Sequence, residues 1–245
     1  MEEKKEKKIS TKIVPFFVLL SGFDFMSKFG HLTQAEADDH LDENMEKWKD
    51  MCSKYNIRYI ENQGAMAPFT YGKFNAKLSK KLLNDAPFCG STNTCGVIAV
   101  FNALKGMGIT EDYVEFPNLL NYFETRSVIL NGYFGTSFKG LVNFFKDKGF
   151  DIKFVSGRKI TKENLDFLES NYKSFIFMSF NNKDNIYDMM HHMCITKEEK
   201  GFYIHNSYNK ENNFPTLYDA ITRYNASNGK VSKPIAVCGI RKKEQ

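Results

Sequence analysis

The stretch Ser91-Thr92-Asn93-Thr94-Cys95-Gly96-Val97-Ile98-Ala99-Val100-Phe101-Asn102-Ala103-Leu104 constrains this chain more than any other. Four polar residues lead into a run that is apolar on nearly every side. Asn93 and Thr94 are good N-cap types, so the run reads as a helix with Cys95 in its first turn. Gly106-Met107-Gly108 supplies the stop. A helix this apolar belongs in an interior, so the rest of the chain must provide elements that cover it. The same placement gives Cys95 a chemical character. Unpaired backbone N–H groups and the positive end of the helix dipole face a thiol in the first turn, which favours thiolate. A cysteine at the head of a buried helix is therefore a candidate nucleophile.

The covering elements can be read on both sides of this helix. Thr33-x-x-Glu36 is a capping box, and Ala35, Leu41, Met45, Trp48 and Met51 recur near helical spacing, which predicts a charged helix within 28–56. Gly64, Pro68 and Gly72 punctuate a loop over 62–80. Thr110-Glu111-Asp112 caps a further helical stretch that Pro117 is expected to interrupt. Thr136-Ser137 caps a strongly amphipathic helix bearing Phe138, Leu141, Val142, Phe144 and Phe145, ended by Gly149. Residues 150–155 alternate as a half-buried strand does. Leu165, Phe167 and Leu168 mark a short helix within 161–171.

Beyond 171 the pattern turns to strands. Ser-Phe-Ile-Phe-Met-Ser-Phe occupies 174–180, and runs at 192–196 and 202–205 flank Lys197-Glu198-Glu199-Lys200-Gly201 as a hairpin. A helix is expected within 216–224 and a closing strand over 234–240. Helices first and an antiparallel sheet later predict an α+β fold. Residues 1–80 read as an N-terminal extension with a charged helix, and 81–245 as the domain proper.

Composition narrows the function classes. The net charge of +5 comes from basic residues scattered among acids rather than gathered on one stripe, which argues against a nucleic-acid partner. The five cysteines, Cys52, Cys89, Cys95, Cys194 and Cys238, are odd in number and widely spread, unlike a disulfide framework. At least one thiol is then free, which suits a reducing compartment, the cytoplasm above all, or a catalytic cysteine in any compartment. Export or membrane association depends on the apolar run 13–23, too short for a span but of the length of a signal-peptide core. Cys89, Cys95, His191, His192 and Cys194 lack zinc-site spacing, so no metal or other cofactor is expected.

A cysteine nucleophile needs a base and a group to orient it. His192 opens one hairpin strand and Asn206 ends its partner. With a three-residue loop, Lys197 pairs with Gly201 and His192 with Asn206, on one face of the sheet. His191 faces the other way from His192, so at most one of them meets Cys95; His205 is a weaker rival. The Cys95 N–H is a natural oxyanion donor. Asn93 is a candidate second donor and, equally, a helix cap.

At these residues the chain resembles the papain-like cysteine peptidases, closest to the branch of bacteriocin-leader peptidases of double-glycine exporters. The matching pieces are Thr94-Cys95-Gly96-x-Ile98-Ala99-x-x-Asn102-Ala103-Leu104, then Gly135-Thr136 and Gly149-Phe150, then His192-Met193-Cys194-Ile195. Tyr203-Ile204-His205-Asn206-Ser207 is similar to the Asn-Ser after the last catalytic strand of papain. The resemblance implies a helical lobe packed on an antiparallel sheet lobe and a triad of Cys95, His192 and Asn206. It also implies thiol-peptidase activity on a peptide or protein, through a covalent thioester. Where the family commonly carries a Gln oxyanion donor, six residues before the nucleophile, this chain has Cys89. Acyl transfer on the same fold and a degenerate peptide-binding domain are the rival expectations.

Overall fold

The computed structural model describes residues 30–72, 93–129, 132, 135–180, 190–207, 211–224 and 233–243. Within them the fold is α+β: six α-helices and a six-stranded antiparallel sheet. The helices are α1 (Gln34–Lys54), α2 (Cys95–Gly106), α3 (Phe116–Glu124), α4 (Phe138–Asp147), α5 (Lys162–Asn171) and α6 (Leu217–Thr222). The strands are β1 (Asp151–Ser156), β2 (Ser174–Phe180), β3 (Met190–Glu198), β4 (Gly201–His205), β5 (Asn213–Phe214) and β6 (Lys233–Arg241), ordered β1-β6-β2-β3-β4-β5.

Helices cover both faces of this sheet, which explains why β2 is buried at every position. Ile176, Met178, Cys194, Cys238 and Ile240 point into one core with α1 to α4. The alternate residues Phe175, Phe177, Met193, Ile195 and Val237 point into a second core with α5 and α6. A strand covered on two sides gains from apolar residues in both phases, so the Phe-Ile-Phe-Met run lacks polar alternation. Packing of α2 on the sheet is close. A Cβ on Gly106 would lie 2.5 Å from the Thr196 methyl and 3.0 Å from the Ser174 hydroxyl.

Local signals set most helix starts. The Thr33–Glu36 capping box forms at α1, and Ser137 accepts from Gly140 N–H at α4. Pro117 does not interrupt α3 but sits in its first turn. There the missing N–H has no intrahelical partner to lose and the fixed φ suits the helix. Phe167 of α5 is 50% exposed, with Lys153 Nζ 5.9 Å from its ring centroid.

The boundary drawn at residue 80 is not a boundary of the core. Ala37, Trp48, Ile60, Met66, Phe69 and Tyr71 share the first core with α2. The segment 59–72 is pinned by side-chain amides that imitate a neighbouring strand. Asn102 takes the Ile60 N–H at 2.8 Å and donates to the Ile60 carbonyl at 2.9 Å. Asn44 treats Thr70 in the same way, at 2.9 and 2.8 Å. Asn102 and Asn44 are fully buried, so these bonds satisfy groups that would otherwise cost about 1–3 kcal/mol each. The apolar run 13–23 lies outside the described residues. Among those described, no helix is long and apolar enough to cross a membrane.

Candidate active site

Cys95 is the first residue of α2, after Thr94 as N-cap. The Thr94 side chain makes no capping hydrogen bond at this end. The thiol itself meets backbone N–H groups, those of His192, Gly96 and Cys95. Gly96 is needed beside it, because a Cβ there would come within 3.1 Å of Thr136 Cβ and crowd Leu141.

β3 brings the base. His192, Cys194 and Thr196 occupy the β3 face toward α2, and the His192 Nδ1 lies 3.5 Å from Cys95 Sγ. Phe138, at the start of α4, stacks on the imidazole at 5.8 Å between centroids and 22° between planes. His191 faces the opposite side and donates from Nε2 to the Asn206 carbonyl at 2.7 Å. Alternation along one strand thus separates the two adjacent histidines.

The hairpin register differs from expectation by one residue. Glu198 pairs with Gly201 and Cys194 with His205, so the loop is the two-residue Glu199-Lys200. Two-residue hairpin turns match the twist of their strands and are preferred for that reason. Gly201 has φ 125°, and a Cβ there would fall 2.3 Å from the Phe214 carbonyl of β5. Asn206 is consequently not opposite His192. It lies past the end of β4 with φ 57°, in the left-handed region that Asn tolerates better than most residues.

Its side chain serves a different contact. Asn206 Oδ1 accepts the Gln63 N–H at 2.9 Å, which fixes the amide orientation. No hydrogen bond joins Asn206 to His192 among the described residues, and Asn206 Nδ2 and His192 Nε2 are both buried without a partner there. Asn93 is likewise not free to hold an oxyanion through its amide N–H groups. Asn93 Nδ2 donates to the carbonyls of Gly132 at 2.9 Å and Tyr71 at 3.3 Å. It ties the Tyr71 and Gly132 backbones together instead of capping α2. Cys89 lies outside the described residues.

Electrostatics at the pair reverse the expectation of a depressed thiol pKa. Burial pushes the Cys95 thiol up and outweighs the three backbone N–H groups that favour thiolate. Burial, reinforced by the charge of neighbouring His191, holds His192 down at about 3. The resting pair is therefore a neutral thiol and a neutral imidazole. An imidazolium would need an acceptor at Nε2, and the described residues offer none.

Two features escaped the sequence reading. One is the ring stack of Phe138 on His192, whose residue was visible only as an apolar helix position. The other is a second histidine centre. His205 is 2% exposed, with Nδ1 2.7 Å from Glu61 and Nε2 2.8 Å from Thr196 Oγ1. Among the described residues no group of three or more His, Cys, Asp and Glu side chains is placed to hold a metal ion. No protein-family model, curated protein or solved structure matches the chain.

Proposed function

We propose that this protein is a thiol hydrolase of the cysteine-peptidase type, with Cys95 as nucleophile and His192 as general base. The observation that supports it is the 3.5 Å approach of Cys95 Sγ to His192 Nδ1 at the N-terminus of a buried helix. His192 Nδ1 takes the thiol proton as sulfur attacks a carbonyl carbon, so no resting thiolate is required. The oxyanion forms beside the N–H groups at the start of α2. Imidazolium returns its proton to the leaving amine, and water then attacks the thioester with His192 again as base. Asn206 holds the third place only through its position near the hairpin end; its side-chain oxygen Oδ1 is engaged by Gln63 N–H.

The test is acylation of the full chain by 4-nitrophenyl acetate, read by intact mass and peptide mapping after acid quench. One acetyl thioester on Cys95 that turns over is expected. Cys95→Ala should abolish it, His192→Ala should slow it strongly, and His191→Ala should leave it near the parent rate. Acetylation confined to Cys52, which is exposed, sinks the proposal. The lack of a partner for His192 Nε2 among the described residues favours a second reading, a degenerate peptide-binding domain. That reading gains if Cys95 is never acylated while peptides still bind.

A further inference from the structure

Donors and acceptors do not balance at the end of β4. Asn206 and His192 are 4% and 5% exposed, and Asn206 Nδ2 and His192 Nε2 are buried with no hydrogen-bond partner among the described residues. Asn206 Oδ1 is held by the Gln63 N–H at 2.9 Å. When His192 Nδ1 takes the thiol proton, the other ring proton stands on Nε2, so Nε2 is a donor in need of an acceptor. A charged donor draws an amide oxygen more strongly than a neutral backbone N–H does. Oδ1 is such an oxygen, and at rest it is turned to Gln63.

The chain brings amide and imidazole to the same end of the hairpin. Cys194 pairs with His205 in antiparallel register, so the next residue, Asn206, runs back toward His192. His191 Nε2 already meets the Asn206 carbonyl at 2.7 Å. The segment that holds the Asn206 amide lies on the side His192 faces, since Ile60 and Met66 share the first core with α2 and Cys194. The Gln63 N–H itself is well anchored. Asn102 clasps both backbone groups of Ile60 at 2.8 and 2.9 Å, and Glu61 holds His205 at 2.7 Å. The partner able to turn is the Asn206 side chain.

We propose, resting on the hydrolase reading above, that Gln63 is a positioning residue whose backbone N–H competes with the His192 imidazole for the Asn206 side-chain oxygen. Turning the amide to His192 leaves a buried N–H without an acceptor, which disfavours the turned arrangement by about tenfold. The catalytic pair is thus restrained at rest, and the segment 59–66 sets the restraint.

Gln63→Pro removes this N–H cleanly. Gln63 opens the 3₁₀ turn Gln63–Met66, and Asn62 before it is extended, at φ −135° and ψ 115°, as a residue preceding proline must be. Gln63→Ala removes the side chain and keeps the N–H. Turnover of 4-nitrophenyl acetate at Cys95 should rise about tenfold in Gln63→Pro and stay near the parent rate in Gln63→Ala. Adding Asn206→Ala to Gln63→Pro should cancel the gain. A second readout is independent of turnover. The His192 Nε2–H resonance, observed by NMR with isotope-labelled histidine and assigned by its loss in His192→Gln, should move downfield and exchange more slowly in Gln63→Pro. An unmoved resonance in Gln63→Pro, or an equal rise of turnover in Gln63→Ala, overturns the proposal. If circular dichroism shows that Gln63→Pro does not fold, Asn206→Asp carries the test. Its carboxylate has an oxygen for each donor, so turnover should rise, and an unchanged or lower rate overturns the proposal. A shifted resonance with Cys95 never acylated refutes the hydrolase reading alone. Acylation at Cys95 that responds to none of these variants refutes the competition alone.

Discussion

His192 and His205 sit on adjacent strands, face the same helical layer and are almost equally buried, at 5% and 2% exposure. Their surroundings nevertheless differ in kind. His205 has both ring nitrogens hydrogen-bonded, to Glu61 and Thr196, and lies against Tyr59 and Tyr203 at 4.0 and 4.8 Å. A ring satisfied at both ends is a structural tie, and this one fastens the segment around residues 59–63 to the sheet. His192 has a thiol at one nitrogen, no partner among the described residues at the other, and an apolar ring across its face. An incompletely satisfied ring beside a thiol is costly to keep, which is what a reactive site looks like when it is built into a core. Burial alone does not distinguish the proposed base from a structural tie; the partners do.

Exchanging the two histidines for alanine should separate these roles. His192→Ala is expected to lower ester turnover at Cys95 by about 10²–10⁴, the usual worth of a positioned base, with little change in far-ultraviolet circular dichroism. Turnover within threefold of the parent would remove His192 from the mechanism.

The next effect is on acid stability. His192 titrates near 3 when folded and near 6.5 when free, so the unfolded chain binds the extra proton between those values. Stability conferred by this site is complete above pH 6.5 and is lost as pH falls toward 3. The loss is roughly 5 kcal/mol at about 1.4 kcal/mol per pH unit. Urea midpoints measured across that range in the parent and in His192→Gln should converge toward acid. Parallel curves would show that His192 is not held neutral.

His205→Ala should leave Cys95 acylation within a few-fold and cost about 2 kcal/mol of stability, since Thr196 and Glu61 lose their shared partner. A large loss of acylation with unchanged stability would erase the contrast between the two centres. Smallest is Asn206→Ala. It removes the bond from Gln63 N–H and puts a less tolerant residue at φ 57°, for about 1–2 kcal/mol. Turnover should change less than tenfold. A fall as deep as that of His192→Ala would mean that the amide turns to orient the imidazole during catalysis.

Much of the architecture was legible because it is written in short-range chemistry. The Thr33 capping box, the Ser137 cap, the apolar 95–104 helix and the strand runs at 174–180 and 192–196 all announce themselves within a few residues. The α+β order followed from them. Pro117 was misread because a proline that breaks a helix interior is indistinguishable, by type alone, from one that starts a helix. The site was legible as residue types, with Cys95 at a helix start and His192 on a strand. The alternation of His191 and His192 was legible too, since neighbours on a strand face opposite sides.

What the linear chain determined, then, is which elements form and which side chains share a face, because caps and periodicity act over one or two turns. Tertiary structure decided the rest. A one-residue difference in the hairpin loop moved Asn206 away from His192, and the turn's fit to strand twist is a property of two paired strands. The pKa values of Cys95 and His192 were decided by burial beneath α4 and against the sheet, which outweighed the local helix dipole. Desolvation depends on what surrounds a group from every direction, and no stretch of neighbouring residues encodes it.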